Sequence, residues 1–288
     1  MTTISAQVIA HSICLVSGKQ IATLQLRYPR CIHAEFMTHR QFSRNASSSR
    51  AVPVKKLIED VLKDPFVPLV WGKNQKGMQA TQECDSSVLC GFVNSIGQRQ
   101  GVEKSRRGAW LEAMNQAVFL AQSFDEAGYH KQIVNRLLEP FSHINVVVTS
   151  TEWSNFFALR DHKDAEPHIS ELARVMKKAL RESNPRHLTE GEWHLPYVDP
   201  LLAQTDYFTY RMVSGARCAR VSYLTHSQLV PSLEEDLALY RTLVGNEPLH
   251  ASPTEHQAIP DPNRECPELW GNFQGWIQHR KTLQGECK

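Results

Sequence analysis

The segment Thr38-His39-Arg40-Gln41-Phe42-Ser43-Arg44-Asn45-Ala46-Ser47-Ser48-Ser49-Arg50 crowds three arginines, one histidine and four serines into thirteen positions. Guanidinium groups present a planar fork of N–H donors that matches phosphate oxygens, and serine hydroxyls add uncharged donors. A turn lined in this way can hold a nucleotide phosphate. The competing reading is a solvated polar loop, since serine-rich loops are common. A second segment, Asn155-Phe156-Phe157-Ala158-Leu159-Arg160, ends an apolar run on a guanidinium. An arginine that points inward needs an acidic or hydrogen-bonding partner, so an ion pair at a helix end is the plain alternative to a ligand contact. A third region joins Cys218-Ala219-Arg220-Val221-Ser222-Tyr223 to His250-Ala251-Ser252-Pro253-Thr254-Glu255-His256. Two histidines and a glutamate invite a metal. Their i, i+6 spacing across Pro253 is not the helical i, i+4 pair of zinc hydrolases, so no metal is expected.

Elements must position these side chains. Residues Ile21 to Tyr28 alternate, with Ala22, Leu24, Leu26 and Tyr28 on one side, and predict a half-buried strand. The valine-rich run Ile144 to Val148 predicts a buried strand. Helical spacing of apolar residues predicts helices from Ser105 to about Gln122, from Ile133 to Leu138, and from Trp153. Ala165 to Leu180 predicts an amphipathic helix with Pro167 in its first turn. Ser232 and Glu235 form a capping box before a helix that Gly245 ends. Residues Pro65 to Lys104 read as a long loop with short helices, and Asn184 to Pro200 as a connector. The tail from Ala258 closes on an aromatic, basic stretch, Trp270 to Lys281. That stretch either packs on the core or stacks on a planar ligand.

The totals set bounds. A chain of 288 residues with 41% hydrophobic and 22% charged residues is an ordinary globular protein with a substantial core. A net charge of +2 gives no general attraction to polymeric nucleic acid or an anionic membrane. Seven scattered cysteines without a C-x-x-C pair argue against a disulfide framework and a structural zinc site. The start of the chain lacks a signal-peptide pattern and no apolar run spans a bilayer, so the cytoplasm is the expected location.

Taken together, the motifs resemble those of the flavin-dependent thymidylate synthase (ThyX) family. The family's R-H-R signature, with S, N, S and R at fixed spacing, is similar to Thr38 to Arg50. Its A-R-V-S-[FY], S-P-x-E-H and N-F-x-x-L-R elements resemble Ala219 to Tyr223, Ser252 to His256 and Asn155 to Arg160. The order differs: the two motifs that come first in the family stand near the C-terminal end here, as a circular permutation would produce. The resemblance covers roughly residues 20–55, 105–180 and 211–258. It implies an α/β (α+β) fold, a mixed sheet flanked by helices, in one permuted catalytic domain over 1–288. Residues 1–183 would carry the R-H-R part, 211–258 the A-R-V-S and S-P-x-E-H part, and 259–288 a C-terminal extension.

The resemblance further implies a homotetramer with shared sites that reductively methylates dUMP. FAD would be the cofactor, with NADPH and methylenetetrahydrofolate as co-substrates. By similarity, His39, Arg40, Asn45, Asn155, Ser222, His250, Ser252 and Glu255 would contact FAD, and Thr149 stands where the family has a flavin-contacting asparagine. Glu35, Ser48, Arg50, Arg136 and Arg160 would bind the nucleotide, with Ser48 and Arg160 acting on the pyrimidine. Folate-only thymidylate synthases resemble one another in a cysteine nucleophile after a proline, and no cysteine here follows one. The chain departs from the family at Thr38 and Thr151, where arginines stand, at Ala46 for a glutamate and at Asp164 for a histidine. Because polar sites discriminate strongly between ligands, these losses leave three alternatives open. They are action on dCMP, a hydroxymethylated product, and a nucleotide- or flavin-binding protein without catalysis.

Overall fold

The computed structural model describes residues 3–221 and 231–286. Its strands are β1 (Ser5–Cys14), β2 (Gln20–Pro29), β3 (Ser43–Ala46), β4 (Val88–Val93), β5 (Arg99–Lys104), β6 (His143–Ser150), β7 (Arg186–Leu188), β8 (Ala258–Pro260) and β9 (Trp276–Gln278). Its helices are α1 (His33–Phe36), α2 (Val54–Lys63), α3 (Arg106–Glu126), α4 (Lys131–Val134), α5 (Ser154–Arg160), α6 (Pro167–Glu182), α7 (Pro200–Ala203), α8 (Tyr207–Ala219) and α9 (Leu233–Gly245). A five-stranded sheet in the order β3-β6-β2-β1-β7 occupies the centre. All its neighbours are antiparallel except β1 with β7, so the sheet is mixed, and helices flank it, as expected.

The alternation in β2 explains the main core. Leu24, Leu26 and Tyr28 share an apolar cluster with Val146 and Val148 of β6 and with Ile169, Leu172 and Met176 of α6. Helix α6 starts where the sequence predicts: Pro167 needs no N–H partner there, and the Glu166 carboxylate accepts from the N–H groups of His168 and Ile169 at 2.8 and 3.0 Å. The second face of β2 is buried too. Ile21 and Thr23 are 0% exposed because C-terminal segments cover them, so the first half of β2 is buried on both faces, while Gln25 and Arg27 farther along stay partly exposed as a half-buried strand would have them. Trp276 and Phe273 of the tail pack there with Cys14, Ile21, Leu188 and Ala258. Of the two readings of the aromatic tail, Trp276 and Phe273 take the core one.

A separate apolar cluster joins α2 and α3 through Leu57, Val61, Met114 and Val118. The predicted capping box is present, with Ser232 Oγ accepting from Glu235 N and the Glu235 carboxylate accepting from Ser232 N. Two expectations are corrected. Residues 65–104 contain no helix; they contain the β4–β5 hairpin. Gly91 faces Gly101 across it, and a Cβ on either would meet the partner backbone, so the glycines that suggested a loop instead permit close strand approach. The connector 184–200 contains β7, which extends the sheet beside β1. Strands β1 and β3 and helix α8 had no counterpart in the sequence reading. Among the described residues, no helix is long and apolar enough to cross a membrane.

Because Trp276 is 0% exposed, Trp276→Ala should lower the unfolding free energy by about 3–5 kcal/mol in a urea titration. A change below about 1 kcal/mol would mean that the tail is not part of the core.

Candidate functional site

Two turns from distant parts of the chain meet at the β3 edge of the sheet. Ser43 and Asn45 lie opposite Thr149 and Val147 in the β3–β6 pairing, which turns these four side chains to one face. The short 3-10 turn Ser252–Glu255 packs against that strand. Gln278 of β9 ties the two together. Its Nε2 lies 3.0 Å from each of Ser43 Oγ, the Glu255 carbonyl and Asn272 Oδ1. Asn272 Nδ2 in turn donates to the Gln41 carbonyl at 2.9 Å. Ser252, Glu255 and Asn45 are half-buried along this junction, whereas Arg40, Asn155 and His250 are exposed. Ser222 lies outside the described residues.

A guanidinium–imidazole–carboxylate group stands beside this junction. His39, 9% exposed, sets its ring edge-on to Phe156 with centroids 4.8 Å apart, and Phe42 lies 5.9 Å away. Arg160 at the end of α5 donates from Nε to His39 Nε2 at 3.0 Å, and its Nη1 forms an ion pair with Glu35. Burial, reinforced by the neighbouring Arg160 and Arg44 charges, holds His39 down to about 4. The ring is therefore neutral near pH 7. Arg160 can only donate, so Nε2 accepts and the proton sits on Nδ1. Arg44 secures the backbone of this turn, donating to the carbonyls of Met37 and His39 at 2.9 Å each. Glu35 is thus committed to Arg160. Glu35, expected beside the nucleotide, is here the partner that orients Arg160.

The Ser48–Arg50 turn hangs on a different support. Buried Asn135 donates from Nδ2 to the carbonyls of Ser49 and Val52 at 2.7 and 2.9 Å. Ser49 Oγ donates to Glu139 at 2.6 Å, and Arg136 pairs with the same carboxylate at 2.9 Å. Ser48 Oγ accepts from the Arg50 N–H at 3.3 Å. The structure therefore gathers Glu35, His39 and Arg160 in one group, and Ser48, Arg50 and Arg136 around the Asn135–Glu139 support.

A buried polar chain lies behind the junction. Ser12 Oγ is 2.9 Å from His194 Nδ1, and His194 Nε2 is 2.8 Å from Thr23 Oγ1. Thr23 Oγ1 is 2.7 Å from Thr149 Oγ1, which is 2.9 Å from His256 Nδ1. Burial pushes both His194 and His256 down to about 3, so both are neutral. Thr149 is 0% exposed and its hydroxyl bonds Thr23 and His256 within the chain. From this position it holds the His256 turn from behind.

Sequence reasoning missed the contribution of the tail. Arg280 pairs with Glu255 and also donates to Glu286 at 2.9 Å, while Gln274 N–H donates to Thr151 Oγ1 at 3.0 Å. The basic, aromatic character of Trp270 to Lys281 was visible, but not the partner of each base. His194 lay in a stretch read as a connector, and no local signal marked it.

Residues 19–186 match the family described as thymidylate synthase complementing protein. Among solved structures, the chain is similar to the UMP/dUMP methylase PolB from Streptomyces cacaoi bound with 5-Br UMP. The identity is 16% and the TM-score 0.43, over 63% of this chain and 90% of that one. The same methylase bound with 5-Br dUMP gives 15% identity and a TM-score of 0.42, over 63% and 91%. No curated protein matches the chain.

Two measurements follow from the buried chain. Thr149→Val removes one of the two partners of the Thr23 hydroxyl and leaves His256 Nδ1 without its Thr149 partner inside the protein, and should cost about 1–3 kcal/mol in urea unfolding. An unchanged midpoint would remove the chain's structural role. The neutral histidines also set a pH dependence. His39 falls to about 4 and His194 and His256 to about 3, against 6.5 in the unfolded chain. Their stabilising contribution is complete above pH 6.5 and is lost as the pH falls towards those values, because the unfolded chain takes up protons that the fold refuses. Urea midpoints should therefore decline as the pH drops through this window, and constant midpoints would contradict the burial of these rings.

Proposed function

The chain belongs to the thymidylate synthase complementing protein family, and on that premise we propose that it is a flavin-dependent transferase that reductively methylates dUMP at C5. Methylenetetrahydrofolate would give the carbon and NADPH the reducing equivalents. The observation that carries this reading is the junction itself, where the arginine–serine segment at β3 and the Ser252–His256 turn close on one another. The proposed circular permutation is supported by a second contact. Cys218 and Val221 pack on Val147 of β6 although they follow the family-matching residues in the chain.

The residues at the junction suit a flavin dinucleotide. A planar ring with both donors and acceptors needs partners of both kinds, and a pyrophosphate needs cations. The half-buried Asn45 amide, the Glu255 carboxylate, the Ser252 hydroxyl, and the exposed Arg40 and His250 supply that mixture. Thr149, buried behind the junction, would support this surface through its hydrogen bond to His256. When bound, FAD would supply the hydride that completes reduction of the transferred carbon.

The remaining work falls to the protein. Arg160 has its Nε–H on His39 and an Nη1–H on Glu35, which leaves further N–H donors for a pyrimidine carbonyl. A guanidinium held there stabilises negative charge that develops as C5 becomes nucleophilic. Glu35 and the neutral His39 fix its direction before any ligand arrives. Ser48 and Arg50 would hold the nucleotide from the Asn135-supported turn, with Arg136 nearby. The family reading adds a homotetramer with shared sites, in which one subunit's turn would complete another's site.

Arg160→Ala should reduce turnover of dUMP by at least about 10²-fold while the protein stays yellow with bound FAD. Wild-type turnover in that variant would remove the proposed role of Arg160. Product mass after incubation with dUMP or dCMP, methylenetetrahydrofolate and NADPH tests the reaction. A thymidylate product is expected from dUMP, whereas a hydroxymethylated nucleotide, or turnover of dCMP alone, would replace this assignment.

A further inference from the structure

We propose that the C-terminal segment is a working part of the flavin site, with Arg280 as the positioning residue for Glu255. This deepens the flavin reading above and rests on it. The segment lies entirely beyond residues 19–186, which match the family. It nonetheless touches both turns of the junction. Gln278 bonds Ser43 and the Glu255 carbonyl, Asn272 bonds the Gln41 carbonyl, and Gln274 bonds Thr151. Position 151 is one where the family resemblance places an arginine. Here it carries a hydroxyl that accepts from the tail backbone, and the tail arrives with a guanidinium of its own.

The Arg280 guanidinium is aimed. Its Nη1 pairs with Glu255, and its Nε donates to Glu286 at 2.9 Å. Lys281 holds the other oxygen of Glu286 at 2.6 Å, so the carboxylate that orients Arg280 is itself fixed. The Arg280 and Glu255 side chains are 33% and 21% exposed, so water only partly screens the pair. An unpaired Glu255 would place a negative charge beside an anionic dinucleotide. With Arg280 the pair is neutral, and Arg40 and Arg44 set a positive sign at the edge. Arg280 acts through Glu255 and does not itself need to touch the ligand.

The test is FAD titration of the full-length protein, read by flavin fluorescence, for wild type, Arg280→Met, Arg280→Lys, Glu255→Gln and the double variant Arg280→Met/Glu255→Gln. Arg280→Met should weaken FAD binding roughly tenfold or more, and Arg280→Lys should recover part of that loss. In the double variant the two losses should be less than additive, because removing the carboxylate charge removes the need for its partner. The urea midpoint and dUMP affinity of Arg280→Met should match wild type. Unchanged FAD affinity in Arg280→Met, additive losses, or a parallel fall in dUMP affinity and stability would each overturn the inference while leaving the flavin reading in place. A wild-type protein that takes up no FAD would overturn both.

Discussion

The arrangement depends on keeping His256 neutral and hydrogen-bonded inside the protein. His256 follows Glu255 directly, and its Nδ1 is joined through Thr149, Thr23 and His194 to Ser12 on β1. Every hydroxyl in such a chain has one proton, and each neutral imidazole has one. If one member reverses its donor direction, its neighbours must reverse as well, which makes the chain cooperative. The position of the Ser252–Glu255 turn is therefore coupled across the sheet to a strand that carries none of the motif residues. Among the described residues His256 Nε2 is buried without a hydrogen-bond partner, so the chain ends on an atom whose burial opposes folding. That cost is tolerated because the turn is held elsewhere, by Gln278 and by the packing of the tail.

The charges at the candidate site residues follow one pattern. Arg160 is paired with Glu35, Arg136 with Glu139, and Arg280 with Glu255. Each guanidinium is fixed by a carboxylate before a ligand is present, and each keeps donors that the carboxylate does not use. Prior fixing of this kind avoids reorganisation when charge develops, which is how preorganised donors lower a barrier. His39 fits the same pattern. Protonating it would set a cation against Arg160 and Arg44, so it remains a neutral acceptor for Arg160.

Local patterns carried much of the core into view. The alternation in β2, the valines of β6, the Pro167 start of α6 and the Ser232–Glu235 capping box all depend on short-range spacing, and all are present. What stayed hidden depends on long-range partners. β3 reads as a polar loop because its side chains serve the junction rather than an apolar core, and its strand character comes from pairing with β6. Thr149 was readable as a motif position, but its withdrawal from the surface depends on His194, which sits in a proline- and histidine-rich connector. The glycines of the β4–β5 hairpin looked like loop residues because their use, close backbone approach, appears only once the strands are paired. Arg280 could be seen as one base in a basic stretch. Its selection of Glu255, a residue 25 positions earlier, could not.

The tail and the proposed permutation are connected. In this chain order the Ser252–His256 turn runs directly into β8, and β9 returns antiparallel to it with Gln278 opposite Ala258. The segment that follows the motif is thereby forced back across the motif. Trp276 fixes that return in the apolar cluster under β2, so the residues on either side of it have little freedom. Gln278 then falls between Ser43 and the Glu255 carbonyl, and Arg280 falls within reach of the Glu255 side chain. Ordinary core burial of one aromatic side chain, placed just after a functional turn, is sufficient to bring new polar groups to that turn.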